Sequence, residues 1–493
     1  MGSRVTPIST VPHAPDWYRR FAFTHRAALL IGVSAMLLGH RLGARILSTN
    51  DEARFPMLAR DILSGHHWLL PRLDGVPHLN KPPLQAWLVA LASWPTGAVT
   101  QWTAAIPSVL AALLVVFTTY RIALRLFDRD AALVGGLTVL TTVGVPSYGR
   151  IPMPDMTFCA AVTGALAAYI GAELGGHRWA LIAFYGLVGL AFWSKGPAGL
   201  LPLVVAAVDL GIAGGAPGLR RLICTPGLLL LAVLIGAWGA LIMVAPNEAQ
   251  FGRDVVMHDF LSWYVPTRTP NWRQLFNPLG QALTIVLPWS VLLPGAIWMA
   301  AREREPVRRR RARLLLAWAG VMFLLLAVTR EQRMRYYLPL CPPAALLLAG
   351  WYASWRSPRR APCFASAWVL VVLAGLTVDS YAGARQNAAT DLREASRRLT
   401  HAARIYAVDA PELVFSFYLG RPVTILRTCR DFDTRVQSSP DEYVIVPERA
   451  IADSPCLSLR QVATATVHGR RFAILESGPP LSTVPTGRTT GGA

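Results

Sequence analysis

The sequence predicts an α-helical polytopic membrane protein with about 11–13 transmembrane helices and a small soluble α/β domain near its C-terminal end. Three observations predict it. Of 493 residues, 53% are hydrophobic and only 15% charged, against roughly 25% charged in a soluble chain. Apolar runs near the ~20 residues that cross a bilayer recur over most of the length. Beyond about residue 385 these give way to short alternating segments separated by polar turns. The net charge of +20 is explained by basic loops on the cytoplasmic side, which excludes the need for a nucleic-acid partner.

Residues 1–26 read as a cytoplasmic N-terminus. The arginine-bearing DWYRRFAFTHR is followed by AALLIGVSAMLLG without a small-residue cleavage site, which predicts a retained first helix. Residues 27–383 form the transmembrane domain. Its candidate spans are 27–46, 103–126, 131–147, 154–173, 178–193, 197–214, 223–245, 279–300, 312–328, 335–354 and 362–382. Between the first two lies the polar loop 47–102. It opens on DEARFPMLARDIL, whose spacing puts Phe55, Leu58, Ala59 and Ile62 on one face of a short amphipathic helix and Asp51 and Arg54 at its start.

The segment 83–97 is apolar but too short to span, and is read as an interfacial or re-entrant helix. With that choice every arginine-dense short loop, AREREPVRRRRAR included, falls on one side, as the positive-inside rule requires. The opposite face, the periplasm in a bacterium, receives 47–102, the SYGRIPMPD and WSKGP turns, the loop 246–278, the TREQRMRYY turn and the C-terminal domain.

Residues 384–477 read as that α/β domain. DLREASRRLTHAARIYAVD is a helix feeding a strand, and LVFSFYLG, PVTILR, DEYVIVPE, LRQVATATVHG and RRFAILES are short strands or strand–helix units. Its two cysteines, Cys429 and Cys456, lie on the oxidising side and predict a disulfide. The Gly/Pro/Thr-rich tail 478–493 is expected to be disordered.

The residues able to carry chemistry gather on the outer face. Of 48 Lys and Arg residues, only Lys81 and Lys195 are lysine, which suggests that a compact ammonium is needed there rather than a guanidinium. Lys81 is held in the stiff NKPP turn, and Lys195 stands between two apolar segments. Asp155 sits at the outer mouth of a span, where a carboxylate is by default a functional group, although Asp after Pro154 also suits a helix N-cap. Arg333, Arg335, Tyr336 and Tyr337 occupy another outer mouth. Arginines on this side oppose the positive-inside bias and imply an anionic partner. The loop 246–278 adds His258, a candidate metal ligand or acid/base, and Arg268. Such a set suits an anionic lipid headgroup held by cations, with carboxylates facing an acceptor. No Walker loop, GxGxxG, CxxC or HExxH pattern occurs, so the energy of any reaction arrives with the substrate.

DEARF, PRLDGVPHLNKPPLQAWL, PMPDMTF, WSKGPAG and RYYLPLCPPAALLLAG, spread over about 45–354, resemble the bacterial membrane glycosyltransferases that use polyprenyl-phosphate sugars. The nearest likeness is to the undecaprenyl phosphate-aminoarabinose:lipid A transferase group, related to protein O-mannosyltransferases. The resemblance implies a GT-C fold, an inner-membrane location and a periplasmic active site. It further implies inverting transfer of a sugar, such as 4-amino-4-deoxy-L-arabinose, from a polyprenyl-phosphate donor to lipid A or another cell-envelope acceptor. Transfer to a hydroxyl, as in O-mannosylation, is the alternative within the family. Carried over residue by residue, Asp51 and Asp155 match active-site aspartates, while Arg54, Lys81, Lys195 and Tyr337 match positions near the donor phosphate. Glu52, Arg268, Arg333, Arg335 and Tyr336 are then expected against the acceptor or headgroup. Asn80 departs from the pattern, standing where the family commonly has an acidic residue linked to metal binding; a divalent metal held by His258 would lack that anchor, since Asn is a poor metal ligand. No cofactor is required by the sequence. A lipid-headgroup transporter or flippase is the rival outside enzymes. It would distribute charge through the membrane depth, whereas here charge collects at one face.

Overall fold

The computed structural model of the chain describes residues 16–78, 81–175, 178–244, 272–329, 331–354, 404–428, 442–451, 459–467 and 469–476, with scattered positions between 368 and 402 and at 431. The expected disulfide partners Cys429 and Cys456, His258, Arg268, Asn80, the tail 478–493 and most of the expected span 362–382 lie outside the described residues.

The chain enters through α1 (Asp16–Gly39) and turns into α2 (Asn50–Gly65). The Thr49 hydroxyl accepts the Glu52 backbone N–H, capping α2, and the Glu52 carboxylate turns back to the backbone N–H of Ser48 and to Arg45. Phe55, Leu58, Ala59 and Ile62 are all buried, as their spacing requires. A two-stranded ribbon, β1 (Arg72–Leu73) with β2 (Val76–Pro77), turns on Asp74 and Gly75, both at positive φ, where glycine serves best. After Pro82 and Pro83 comes α3 (Leu84–Ser93). Ten residues rise only ~15 Å, so α3 does not span.

The bundle continues with α4 (Gln101–Leu126), α5 (Arg129–Leu140), α6 (Gly144–Tyr148), α7 (Pro154–Gly175), α8 (Arg178–Lys195), α9 (Leu201–Leu219) and α10 (Thr225–Val244). It closes with α11 (Trp272–Val286), α12 (Leu293–Ala301), α13 (Pro306–Ala327) and α14 (Cys341–Ser354). Among the described residues, five helical stretches are long and apolar enough to cross a membrane: His25–Ala44, Gln101–Leu126, Pro154–Gly175, Trp179–Leu222 and Thr225–Met243. The chain is a membrane protein.

Three expected spans are interrupted. The span 131–147 breaks after Leu140, where the Thr141 and Thr142 hydroxyls bond to carbonyls of the preceding turn and compete with the helix ladder. The span 279–300 is split between α11 and α12 at Pro288 and a single 3-10 turn, Trp289–Val291. The span 335–354 begins as a 3-10 segment, Met334–Leu340, containing Pro339. Conversely, α13 starts well before residue 312, because Glu305 accepts the Val307 and Arg308 N–H groups and caps an arginine-rich first turn.

The C-terminal sheet has strand order β4-β3-β5-β7-β6, from β3 (Arg404–Ala407), β4 (Thr424–Ile425), β5 (Glu442–Pro447), β6 (Arg460–Val467) and β7 (Arg470–Glu476). LVFSFYLG, read as a strand or strand–helix unit, is a helix, α15 (Glu412–Leu419), stopped by Gly420 at φ 71°. Topology overrides local β propensity here: β3 and β4 pair in parallel, and a parallel pair needs a crossover between its strands. This domain is pinned to α2. The Asn50 amide donates to Glu412 at 2.7 Å while its carbonyl oxygen accepts the Leu413 N–H at 3.1 Å. The Tyr418 hydroxyl accepts the Leu47 N–H at 2.9 Å and the Gln101 amide. Arg60 lies 4.1 Å over the Phe417 ring. The buried face of α2 thus shares one apolar core with Phe415, Phe472 and the sheet.

Candidate active site

Helices α7 and α8 form an antiparallel hairpin, so the start of one and the end of the other meet at the same end of the bundle. Asp155 is in the first turn of α7 and Lys195 is the last residue of α8. Lys195 Nζ lies 2.6 Å from Asp155 Oδ1, with the carboxylate buried and the lysine largely so. Gly196 follows at φ 66°, a left-handed turn that lets the chain leave the helix there. The Ser194 hydroxyl donates to the Pro154 carbonyl at 3.0 Å, fixing the two ends together. The ammonium also faces aromatic rings, 4.5 Å from Tyr336 and 5.4 Å from Phe158.

Arg335 joins this pair to the start of α2. Its guanidinium donates to Asp51 Oδ2 at 2.7 Å, sits 5.5 Å from the Tyr336 ring and lies in the field of Asp155. Arg333 reaches the same Asp51 oxygen at 2.8 Å and Arg54 reaches the other at 3.1 Å. Partial burial opposes the Asp51 charge, but the Arg335 hydrogen bond and the three guanidiniums prevail and hold its pKa near 2.

Lys81 completes the set. Burial pushes its ammonium down to about 8. The Asp155 carboxylate resists that shift, while Lys195, Arg54 and Arg335 add to it. His78, on the same loop, is pushed down to about 4 by burial and then by the Arg54 and Lys81 charges, so its ring is neutral at physiological pH.

The structure therefore brings together Asp51, Arg54, Lys81, Asp155, Lys195, Arg333, Arg335 and Tyr336. Two expected members stand elsewhere. Glu52 is buried in the cap of α2 rather than facing a headgroup. Tyr337 is fully buried, donates its hydroxyl to Gln332 and packs on Phe323; its neighbour Tyr336 is the one that faces Lys195. Among the described residues no three His, Cys, Asp or Glu side chains converge as a metal site.

Two residues emerge only in three dimensions. Gln85 of α3 is fully buried, accepts the hydroxyl of Thr157, two residues after Asp155, at 2.7 Å, and keeps an amide nitrogen without an acceptor among the described residues. A lone polar residue in the apolar run LQAWLVALAS was its signal. His78 Nε2 is likewise buried without a partner among the described residues.

A protein-family model for dolichyl-phosphate-mannose-protein mannosyltransferase matches residues 80–248. An undecaprenyl phosphate-alpha-4-amino-4-deoxy-L-arabinose arabinosyl transferase from Edwardsiella ictaluri is 27% identical over 317 residues, 63% of this chain and 56% of that protein. One from Sodalis glossinidius is 29% identical over 341 residues, 66% and 58% of the two chains. The matched part thus spans little more than half the length of these curated relatives. Among solved structures, ArnT from Cupriavidus metallidurans bound to undecaprenyl phosphate superposes with a TM-score of 0.71 at 19% identity, covering 94% of this chain and 98% of that one. The apo oligosaccharyltransferase of Archaeoglobus fulgidus gives 0.58 at 11% identity, over 88% and 70%. The chain has the GT-C membrane fold, and in sequence it resembles the glycosyltransferases that take their sugar from a polyprenyl phosphate.

Proposed function

We propose that this protein transfers a sugar from a polyprenyl-phosphate donor to lipid A or another cell-envelope acceptor, at the outer face of the bacterial inner membrane. The names of its relatives favour 4-amino-4-deoxy-L-arabinose as the sugar and undecaprenyl phosphate as the carrier. The observation that carries the reading is the convergence of Lys81, Lys195 and Arg335 around Asp155 at one helix mouth, beside Asp51. An acceptor oxygen attacks the anomeric carbon as the bond to the donor phosphate breaks, and the electron pair of that bond leaves on the phosphate. The ammonium and guanidinium groups meet the charge that develops there, and on this reading they do so in place of a metal ion. Retained activity after chelation with EDTA checks that part.

Asp51 is a feeble proton acceptor while three guanidiniums hold it near pKa 2. It serves better to set the arginines than to deprotonate a hydroxyl. This favours an acceptor already ionised at neutral pH, such as a lipid A phosphate, over O-mannosylation-like transfer. The positive-inside distribution of the arginine-dense loops supports the periplasmic orientation of the site and of the C-terminal domain. Mass spectrometry of lipid A and cell-envelope glycans from cells with and without the protein tests the reading. A pentosamine on lipid A phosphate that depends on the protein and on Lys195 is the expected result. Identical envelopes in both cells would overturn it.

A further inference from the structure

At the other end of the bundle a cavity of about 350 Å³ opens between α12, α13, α14 and the turn from α4 into α5. Helix α13, whose 22 residues rise about 33 Å, separates it from Arg333 and Arg335. Two guanidiniums, Arg308 and Arg311, and two carboxylates, Asp128 and Glu303, line it together with apolar side chains that include Leu315 and Trp351. The Nε–H of Arg311 is buried without an acceptor among the described residues, and a buried donor left unmade is costly. Glu303 Oε1 accepts the N–H groups of Arg304 and Glu305, and Asp128 Oδ1 accepts those of Asp130 and Ala131, which fixes both carboxylates in place. Beside the cavity, at the end of α12, the Arg302 guanidinium lies 4.5 Å over the outward-facing Trp298. An exposed Trp paired with Arg at a helix end marks the membrane–water interface, so the cavity opens at headgroup depth.

We propose that this cavity binds the headgroup of an aminophospholipid such as phosphatidylethanolamine. The phosphate sits on Arg308 and Arg311, the primary ammonium between Glu303 and Asp128, and the glycerol end against the apolar wall. A lining with two cations and two carboxylates matches a zwitterion rather than a purely anionic headgroup. A primary ammonium offers three N–H donors to the carboxylates, where a trimethylated one offers none. The volume falls within the range of small-ligand pockets, about 300–1,000 Å³.

The test is native mass spectrometry of the delipidated full-length protein in detergent, titrated with dioleoyl phosphatidylethanolamine, phosphatidylcholine and phosphatidylglycerol, and separately with free phosphoethanolamine. We expect phosphatidylethanolamine to be retained at least tenfold more tightly than the other two lipids. R308Q/R311Q should lose that binding, E303Q should erase the preference over phosphatidylcholine, and R309Q on the exposed face should change nothing. Lipid-free thermal unfolding shows whether each variant is folded. R308Q alone, at a side chain 65% exposed, replaces the double variant if that one fails. Equal retention of the three lipids, or a preference that survives R308Q/R311Q, would overturn the proposal. Competition by free phosphoethanolamine at the same concentration as the lipid would overturn the lipid as the source.

Discussion

The Lys81 ammonium should set the alkaline limit of the reaction. In the free protein its pKa falls from 10.5 to about 8, through burial and three neighbouring cations that the Asp155 carboxylate only partly offsets. At 1.36 kcal/mol per pH unit, the site disfavours this ammonium by about 3 kcal/mol. An incoming phosphate supplies the missing counter-charge, so the bound-state pKa should return toward 10. The pH profile of kcat/KM reports the free enzyme and that of kcat the complex. We therefore expect kcat/KM to fall about tenfold per pH unit above pH 8, while kcat holds to a higher pH. K81R stays charged throughout and should lose the alkaline limb, with some activity sacrificed to the change of shape. K81A should lose about 10²–10³-fold in kcat, the usual loss for one charge-stabilising donor. Comparing wild type and K81R on the same donor removes the substrate's own ionisations. Stability gives a second readout. A folded-state pKa below the unfolded value means that the folded protein gains stability as pH rises from 8 to 10.5, by up to about 3 kcal/mol relative to K81M. A kcat/KM profile flat to pH 10, or an alkaline limb unchanged in K81R, would refute the reasoning.

D155N leaves the Lys195 ammonium buried and unpaired, and should cost about 3–5 kcal/mol in thermal unfolding as well as abolishing transfer. D155N/K195M should recover most of the stability and none of the activity. Because Asp51 titrates near pH 2, activity should be level from pH 5 to 7. R335Q removes its strongest partner, so the Asp51 pKa should rise toward the ordinary carboxylate range and carry the acid limb of kcat/KM upward in pH. N50A and Y418F should loosen the C-terminal domain from α2 at about 1–3 kcal/mol each, lowering kcat in the transfer assay because Asn50 adjoins Asp51. Alkylation before and after reduction should label Cys429 and Cys456 only once reduced, and C429S should lower stability by about 2–4 kcal/mol.

Much of this was written in the sequence because it is governed by local rules and by the bilayer. The spacing of Phe55, Leu58, Ala59 and Ile62 determined both α2 and its buried face. Apolar runs fixed the strong spans. The scarcity of lysine singled out Lys81 and Lys195, both of which the fold brings to Asp155. What the sequence could not contain were contacts between residues far apart in the chain. Arg335 reaches Asp51 across 284 positions, which makes of an expected active-site aspartate a clamped anion. Tyr336 rather than Tyr337 faces the site, because Tyr337 turns inward onto Phe323. LVFSFYLG folds as a helix because the strands on either side run parallel. Each outcome depends on which elements pack together, and hydrophobic burial, being non-directional, leaves no mark of that choice in any single stretch of sequence.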